Sequence, residues 1–138
     1  MKARNELKDT LFDVSNEVVI ITGVCGQLGN AYAETFLNRG SRVVGLDLKN
    51  SSISDDLSRL YPDNFIFIEA DVTNKHSLEK SLVLIDDTFG KPTVLINNAA
   101  IDSPPNSSNE DSMSYENYSE DSWDKVLDVN EFVSWCNK

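Results

Sequence analysis

The sequence predicts an α/β fold, a doubly wound parallel sheet of about four strands. Four short apolar runs recur between residues 18 and 96, and each is continuous rather than alternating in polarity. Continuous runs of this length fit strands covered on both faces, as in a parallel sheet. Helical patterns separate the runs, and such a βαβαβαβ rhythm calls for right-handed crossovers.

The first run, Val18-Val19-Ile20-Ile21, is β-branched throughout and ends at Thr22-Gly23. Branched side chains are stiff and pack better on a pleated strand than on a helix. Leu28 to Arg39 reads as a helix, with Leu28, Tyr32 and Phe36 expected on its apolar face and Gly40 as its C-terminal stop. Arg42-Val43-Val44-Gly45-Leu46 is the second strand and ends at Asp47. Ser51 to Leu60 follows as a helix opened by serines able to cap it. Phe65-Ile66-Phe67-Ile68 is the third strand, ending near Asp71. Asn74 to Phe89 is a helix with Leu78, Leu82 and Ile85 on one face, and Gly90 and Pro92 close it. Thr93-Val94-Leu95-Ile96 is the fourth strand and ends at Asn97-Asn98. From Asp102 to Ser122 the pattern lapses into six acidic residues, paired prolines and many Ser and Asn, without Lys or Arg. This 102–122 stretch reads as an acidic surface loop, although a lid over a substrate would leave the sheet at the same place. Ser119 to Val133 resumes a helical pattern with Trp123, Val126, Leu127 and Asn130 on one side. Residues 1–17 are read as an N-terminal extension and 18–138 as one nucleotide-binding domain.

Composition narrows the partners. Lys and Arg number 12 against 23 Asp and Glu, a net charge of −11. That sign repels phosphate backbones and anionic lipid, so neither a nucleic-acid nor a membrane partner is expected. No apolar run approaches the roughly 20 residues that cross a bilayer. The opening MKARNELKDTLF lacks the apolar segment of a secretory signal. Cys25 and Cys136 are the two cysteines, read as reduced thiols of a cytoplasmic protein. His76 has no second His or Cys near it in sequence and reads as a solvated helix residue. Asp55-Asp56 and Asp86-Asp87 read as solvated helix faces, and no metal-ligand spacing is present.

The informative residues stand where strands end. Thr22-Gly23-Val24-Cys25-Gly26-Gln27-Leu28-Gly29 follows the first strand and opens a helix. Glycines there allow a tight turn, close approach of backbone to a pyrophosphate and close packing of helix on sheet. The helix N-terminus adds free N–H groups and the positive end of its dipole. Asp47 ends the second strand 18 residues after Gly29, where a carboxylate can bond ribose hydroxyls and repels a 2′-phosphate. NAD is therefore favoured over NADP. Asp71-Val72 and Asn97-Asn98-Ala99-Ala100 end the third and fourth strands, so four strand ends converge on one crevice.

These motifs, with Trp123 and Asp128-Val129-Asn130, resemble the short-chain dehydrogenase/reductase family from about Phe12 to Asn130. The resemblance implies a Rossmann-like fold, incomplete here because the strands that would follow the fourth are lacking, and hydride transfer between NAD and a small hydroxyl or carbonyl substrate, sugar-like polyols included. It also allows a homo-oligomer for a full-length chain. On this basis Gly23, Gly26 and Gly29 line the pyrophosphate, with Gln27 and Leu28 of the same loop among the cofactor-binding residues. Asp47 takes the ribose, Asp71 and Val72 the adenine, and Asn98 and Ala99 pass beside the cofactor. Asn130 matches the helix asparagine that helps to hold a water in a proton relay.

The chain departs from the family pattern in places. Its glycines fall as T-G-x-x-G-x-x-G where T-G-x-x-x-G-x-G is commoner, a spacing similar to that of nucleotide-sugar epimerases and dehydratases. Ala100 stands where glycine is usual. The family's Tyr-x-x-x-Lys is absent: Tyr32, Tyr61, Tyr115 and Tyr118 are followed four residues later by Phe36, Phe65, Ser119 and Ser122. Without that pair nothing supplies a phenolic proton donor. The expectation is an N-terminal fragment of an NAD-dependent oxidoreductase that turns nothing over alone, cut short by a frameshift or premature stop near residue 131. A non-catalytic NAD-binding or docking module and a fragment of an epimerase-like enzyme are the alternatives.

Overall fold

A computed structural model of the chain describes residues 12–101 and 119–131. Most of the acidic loop expected at 102–122, the first eleven residues and the tail after Glu131 lie outside the described residues. Four strands and four helices alternate: β1 (Val18–Thr22), α1 (Gln27–Asn38), β2 (Arg42–Asp47), α2 (Ser52–Leu60), β3 (Phe65–Glu69), α3 (Lys75–Phe89), β4 (Val94–Ile96) and α4 (Glu120–Asn130). The strands form one parallel sheet in the order β3-β2-β1-β4, with Ile20 opposite both Val44 and Leu95. The expected doubly wound α/β fold is what forms. The chain runs outward from β1 through β2 to β3, then returns to β1's other side for β4. The order thus reverses beside β1, and a crevice opens beyond the carboxyl ends of β1 and β4.

Successive strand residues face opposite layers, and each layer has its own core. Val19, Ile21 and Val43 pack with Ala33 and Leu37 of α1 and Leu57 of α2. Val18, Ile20, Val44 and Leu46 pack with Leu78 and Ile85 of α3. Ile21, Val19 and Val43 are fully buried, and each such side chain contributes about 1.5–3 kcal/mol of transfer free energy.

Helix ends follow local chemistry. Ser51 caps α2 in a reciprocal box with Ser54, Asn74 caps α3 by accepting from Ser77 N, and Ser119 caps α4 by accepting from Ser122 N. Gly40 and Gly90 close α1 and α3 as expected.

Two details depart from the sequence reading, the phase of α1 and the first residue of β4. Helix α1 buries Gly29, Ala33 and Leu37, whereas Leu28 is 62% exposed and Tyr32 39%. The expected face, Leu28-Tyr32-Phe36, is one residue out of phase; only Phe36 packs against the core. The reason is steric, because the first turn of α1 passes so close to the glycine loop that only small residues fit between them. Strand β4 starts at Val94, not Thr93, yet Thr93 N donates to Val18 O (2.9 Å) and its hydroxyl accepts from Val18 N (3.0 Å). The side-chain oxygen there takes the place of a strand carbonyl. Helix α4 buries none of its residues: Val126 and Leu127 are half-buried and Trp123 is 56% exposed. Among the described residues β4 has β1 as its sole strand neighbour, which leaves an apolar sheet edge with Leu95 partly exposed. No described helix is long and apolar enough to cross a membrane.

Candidate functional site

A crevice of about 580 Å³ lies over the carboxyl ends of β1, β2 and β4. Gly23, Gly26, Gln27, Leu28, Asp47, Asp71, Val72, Asn98 and Ala99, all singled out from sequence, line it. Gly29 does not. It is buried beneath the loop, where a Cβ would overlap Gly23 O and lie 2.8 Å from Val24 Cα. Its part is to let helix and loop touch. Sequence reasoning gave no site role to Cys25, Leu46, Leu48, Ala70, Ala100, Ile101 and Val129, which also line the crevice. Most of them adjoin a recognised strand-end residue, and that adjacency is the signal that finds them.

The glycine loop is shaped by its backbone. Gly23 has φ +66°, in the left-handed region, and a Cβ there would lie 2.9 Å from Ala99 Cα. Gly26 N donates to Gly23 O (3.1 Å), and the first bond within α1 runs from Asn30 N to Gly26 O (3.0 Å). The N–H groups of Gln27, Leu28 and Gly29 therefore precede any intrahelical acceptor. The other three helices begin on side-chain caps, whereas α1 begins on Gly26, with no side-chain cap and no acidic residue in its first turn. An anion can take that place.

Carboxylates and amides around the crevice are held by the main chain. Asp47 Oδ2 accepts from Cys25 N (2.9 Å) and Oδ1 from Leu48 N (2.8 Å). Each oxygen keeps a further lone pair for a hydroxyl donor. Asp71 Oδ1 accepts from Thr73 N (2.9 Å) and Thr73 Oγ1 (2.7 Å), which turns that carboxylate toward its own loop. The Asn98 side chain is committed to the fold, since Nδ2 donates to Thr22 O (3.0 Å) and Gly23 O (3.1 Å). Thr22 Oγ1 accepts from both Asn98 N (3.0 Å) and Ala99 N (2.9 Å), joining the ends of β1 and β4.

Asn130 is drawn to the end of β4. Its Oδ1 accepts from Ile101 N (3.0 Å) and its Nδ2 donates to Ile101 O (3.2 Å), so the side chain is occupied by this two-way bond. Replacing Asn130 with Ala is expected to lower stability by about 1 kcal/mol, because the pair is exposed and water competes for it. Hydrogen exchange at the Ile101 amide checks this: protection there should fall while that of β1 persists.

The described crevice residues that can titrate are Cys25, Asp47 and Asp71. None of the described lining residues is a Tyr, Lys or His, so these walls can bind and orient but carry no proton donor of the phenol or ammonium type. Among the described residues no group of three His, Cys, Asp or Glu is placed to hold a metal ion. His76 is exposed near the start of α3.

Residues 17–135 match the family model described as short chain dehydrogenase. The chain belongs to the short chain dehydrogenase family. Among the relatives of this family member, the NAD-dependent glycerol dehydrogenase of Listeria innocua is 28% identical over 122 residues, covering 88% of this chain and 44% of the relative. The 15-hydroxyprostaglandin dehydrogenase (NAD+) of Bos taurus is 27% identical over 123 residues, covering 85% of this chain and 40% of the relative. The crystal structure of a short-chain dehydrogenase/reductase, a glucose/ribitol dehydrogenase from Brucella melitensis, superposes with a TM-score of 0.72 at 25% identity, over 88% of this chain and 49% of that one. The chain thus spans less than half the length of the curated relatives it matches.

Proposed function

We propose that this chain is the dinucleotide-binding part of an oxidoreductase that takes NAD in preference to NADP. The observation that carries the reading is Asp47: at the end of β2 its carboxylate is held by Cys25 N and Leu48 N at the crevice wall, with lone pairs left for a ribose diol. A 2′-phosphate beside it meets a negative charge, with no basic side chain among the described lining residues to offset it. Pyrophosphate binding rests instead on the first-turn N–H groups and dipole of α1, worth about 0.3–1 kcal/mol per charge at an exposed site. Binding by this part alone is accordingly expected to be weak. The names of two relatives, both NAD-dependent dehydrogenases, support the same cofactor.

NAD, when bound, accepts or gives a hydride at its nicotinamide, and the substrate of the complete protein is then a small hydroxyl or carbonyl compound, sugar-like polyols included. The residues described here bind and orient. Gly23 and Gly26 let the backbone approach the phosphates, and Leu46, Leu48, Ala70 and Val72 wall the adenosine side. Asn130, its side chain fixed on Ile101, keeps its main-chain carbonyl in the last turn of α4 as the group to hold a water. With no Tyr or Lys among the described lining residues, this part is expected to bind without turnover.

Calorimetric titration with NAD and NADP tests the cofactor reading. The chain should bind NAD at least about tenfold more tightly, and Asp47→Asn should weaken NAD by about 1–2 kcal/mol while narrowing the gap to NADP. Equal or tighter binding of NADP by the unmodified chain sinks the proposal.

A further inference from the structure

β2 lies inside the sheet, and its fourth residue is a glycine, a poor choice for an interior strand on propensity alone. Gly45 pairs in register with Ile21 of β1 and Phe67 of β3. The space its side chain would occupy is filled from the glycine loop. A Cβ built at Gly45 would lie 2.6 Å and 2.9 Å from the two methyl carbons of Val24 and 3.0 Å from its Cβ. Rotating Val24 about χ1 cannot relieve this, because its Cβ is itself too near and the side chain is stiff. Val24 is fully buried.

Around this fitted pair, three consecutive loop N–H groups are tied to the end of the same strand. Gly23 N and Val24 N both donate to Leu46 O (2.8 and 3.3 Å), and Cys25 N donates to Asp47 Oδ2 (2.9 Å). The height at which Val24 seats over Gly45 therefore sets where the Cys25 N–H meets the carboxylate. Neither Val24 nor Gly45 lines the crevice.

We propose that Val24 and Gly45 are a positioning pair: the seating of Val24 over the bare strand at Gly45 aims the Asp47 carboxylate, so discrimination at the adenosine ribose depends on a contact that never touches the ligand. This rests on the reading of the crevice as an NAD site.

The test compares Gly45→Ala, Val24→Ala and the double variant, each with Cys136→Ser so that Cys25 is the sole thiol. Dissociation constants for NAD and NADP are measured by calorimetry, melting temperatures are recorded, and the rate of Cys25 alkylation by iodoacetamide is followed by mass spectrometry. Gly45→Ala should lower the NAD-to-NADP affinity ratio about tenfold, and the double variant should return most of it, as contacting residues do in a double-mutant cycle. A purely structural role would shift the melting temperature and leave the ratio unchanged; an unchanged ratio overturns the proposal. Cys25 Sγ rests 3.5 Å from Lys49 O and 3.6 Å from Ser54 Oγ, so lifting the loop should speed its alkylation in Gly45→Ala and restore the slow rate in the double variant. If Gly45→Ala does not fold, Val24→Ala is read in its place, with the same fall in ratio and rise in alkylation expected. If the unmodified chain binds neither dinucleotide, the NAD reading fails separately, and equal alkylation rates across the variants then overturn the pair.

Discussion

Replacing Gly29 with alanine is expected to cost the chain about 2 kcal/mol or more of stability and to remove measurable NAD binding. Helix propensity argues the other way: in a helix interior alanine is better than glycine by about 1 kcal/mol. The sign is decided by what a methyl group at residue 29 meets. It would overlap Gly23 O and come within 2.8 Å of Val24 Cα and 2.9 Å of Gly23 C, all main-chain atoms of a loop whose N–H groups are fixed to Leu46 and Asp47. A flexible side chain could swing away; this backbone cannot without losing those bonds. Either α1 lifts from the sheet, exposing Ala33 and Leu37, or the loop rises and deforms the crevice. Thermal or urea unfolding checks the first consequence and calorimetry with NAD the second. A Gly29→Ala chain as stable as the parent would show that the close approach is not a constraint.

The second large effect is expected at Thr22. Its side chain is buried, and its hydroxyl oxygen accepts from Asn98 N and Ala99 N while donating to Ile96 O at 3.4 Å. Valine has almost the same shape, so Thr22→Val keeps the packing and removes only the acceptor. Two part-buried N–H groups then lose their partner, at about 1–3 kcal/mol each, and a total near 3 kcal/mol is expected. Thr22→Ser should retain most of the stability, since the hydroxyl stays and one methyl is lost, worth about 1 kcal/mol. Urea unfolding of the two variants separates the explanations: if Val is harmless and Ser is not, packing rather than hydrogen bonding joins β1 to β4. Because Asn98 and Ala99 also wall the crevice, Thr22→Val should weaken NAD binding as well as stability.

Much of the architecture is legible without coordinates. Unbroken β-branched runs such as Val18–Ile21 mark strands buried on both faces, and serine or asparagine ahead of a periodic segment marks a helix start, as at Ser51, Asn74 and Ser119. The crevice is legible for a related reason. In a parallel sheet all strand ends point one way, so Gly23, Asp47, Asp71 and Asn98, far apart in sequence, meet once the strands align. The phase of α1 was not legible. Counting apolar residues selects Leu28, Tyr32 and Phe36, the bulkier set, but the first turn of α1 meets the glycine loop so closely that Gly29 must face it, and the helix then carries Ala33 and Leu37 into the core.

What the sequence alone determined is whatever local chemistry dictates: strands from branched apolar runs, helix ends from caps, a turn at Gly23 and an acid at the end of β2. What only the tertiary structure decided are contacts between segments remote in sequence. The Thr22 hydroxyl bonds residues 76 and 77 positions away, Asn130 reaches back 29 residues to Ile101, and Val24 fills the gap that Gly45 leaves in β2. An asparagine ending a helix and a threonine ending a strand are each unremarkable where they stand, and a glycine inside a strand reads there only as a weak point. They gain their roles from the distance between elements, which the packing of the whole sheet sets and no local pattern encodes.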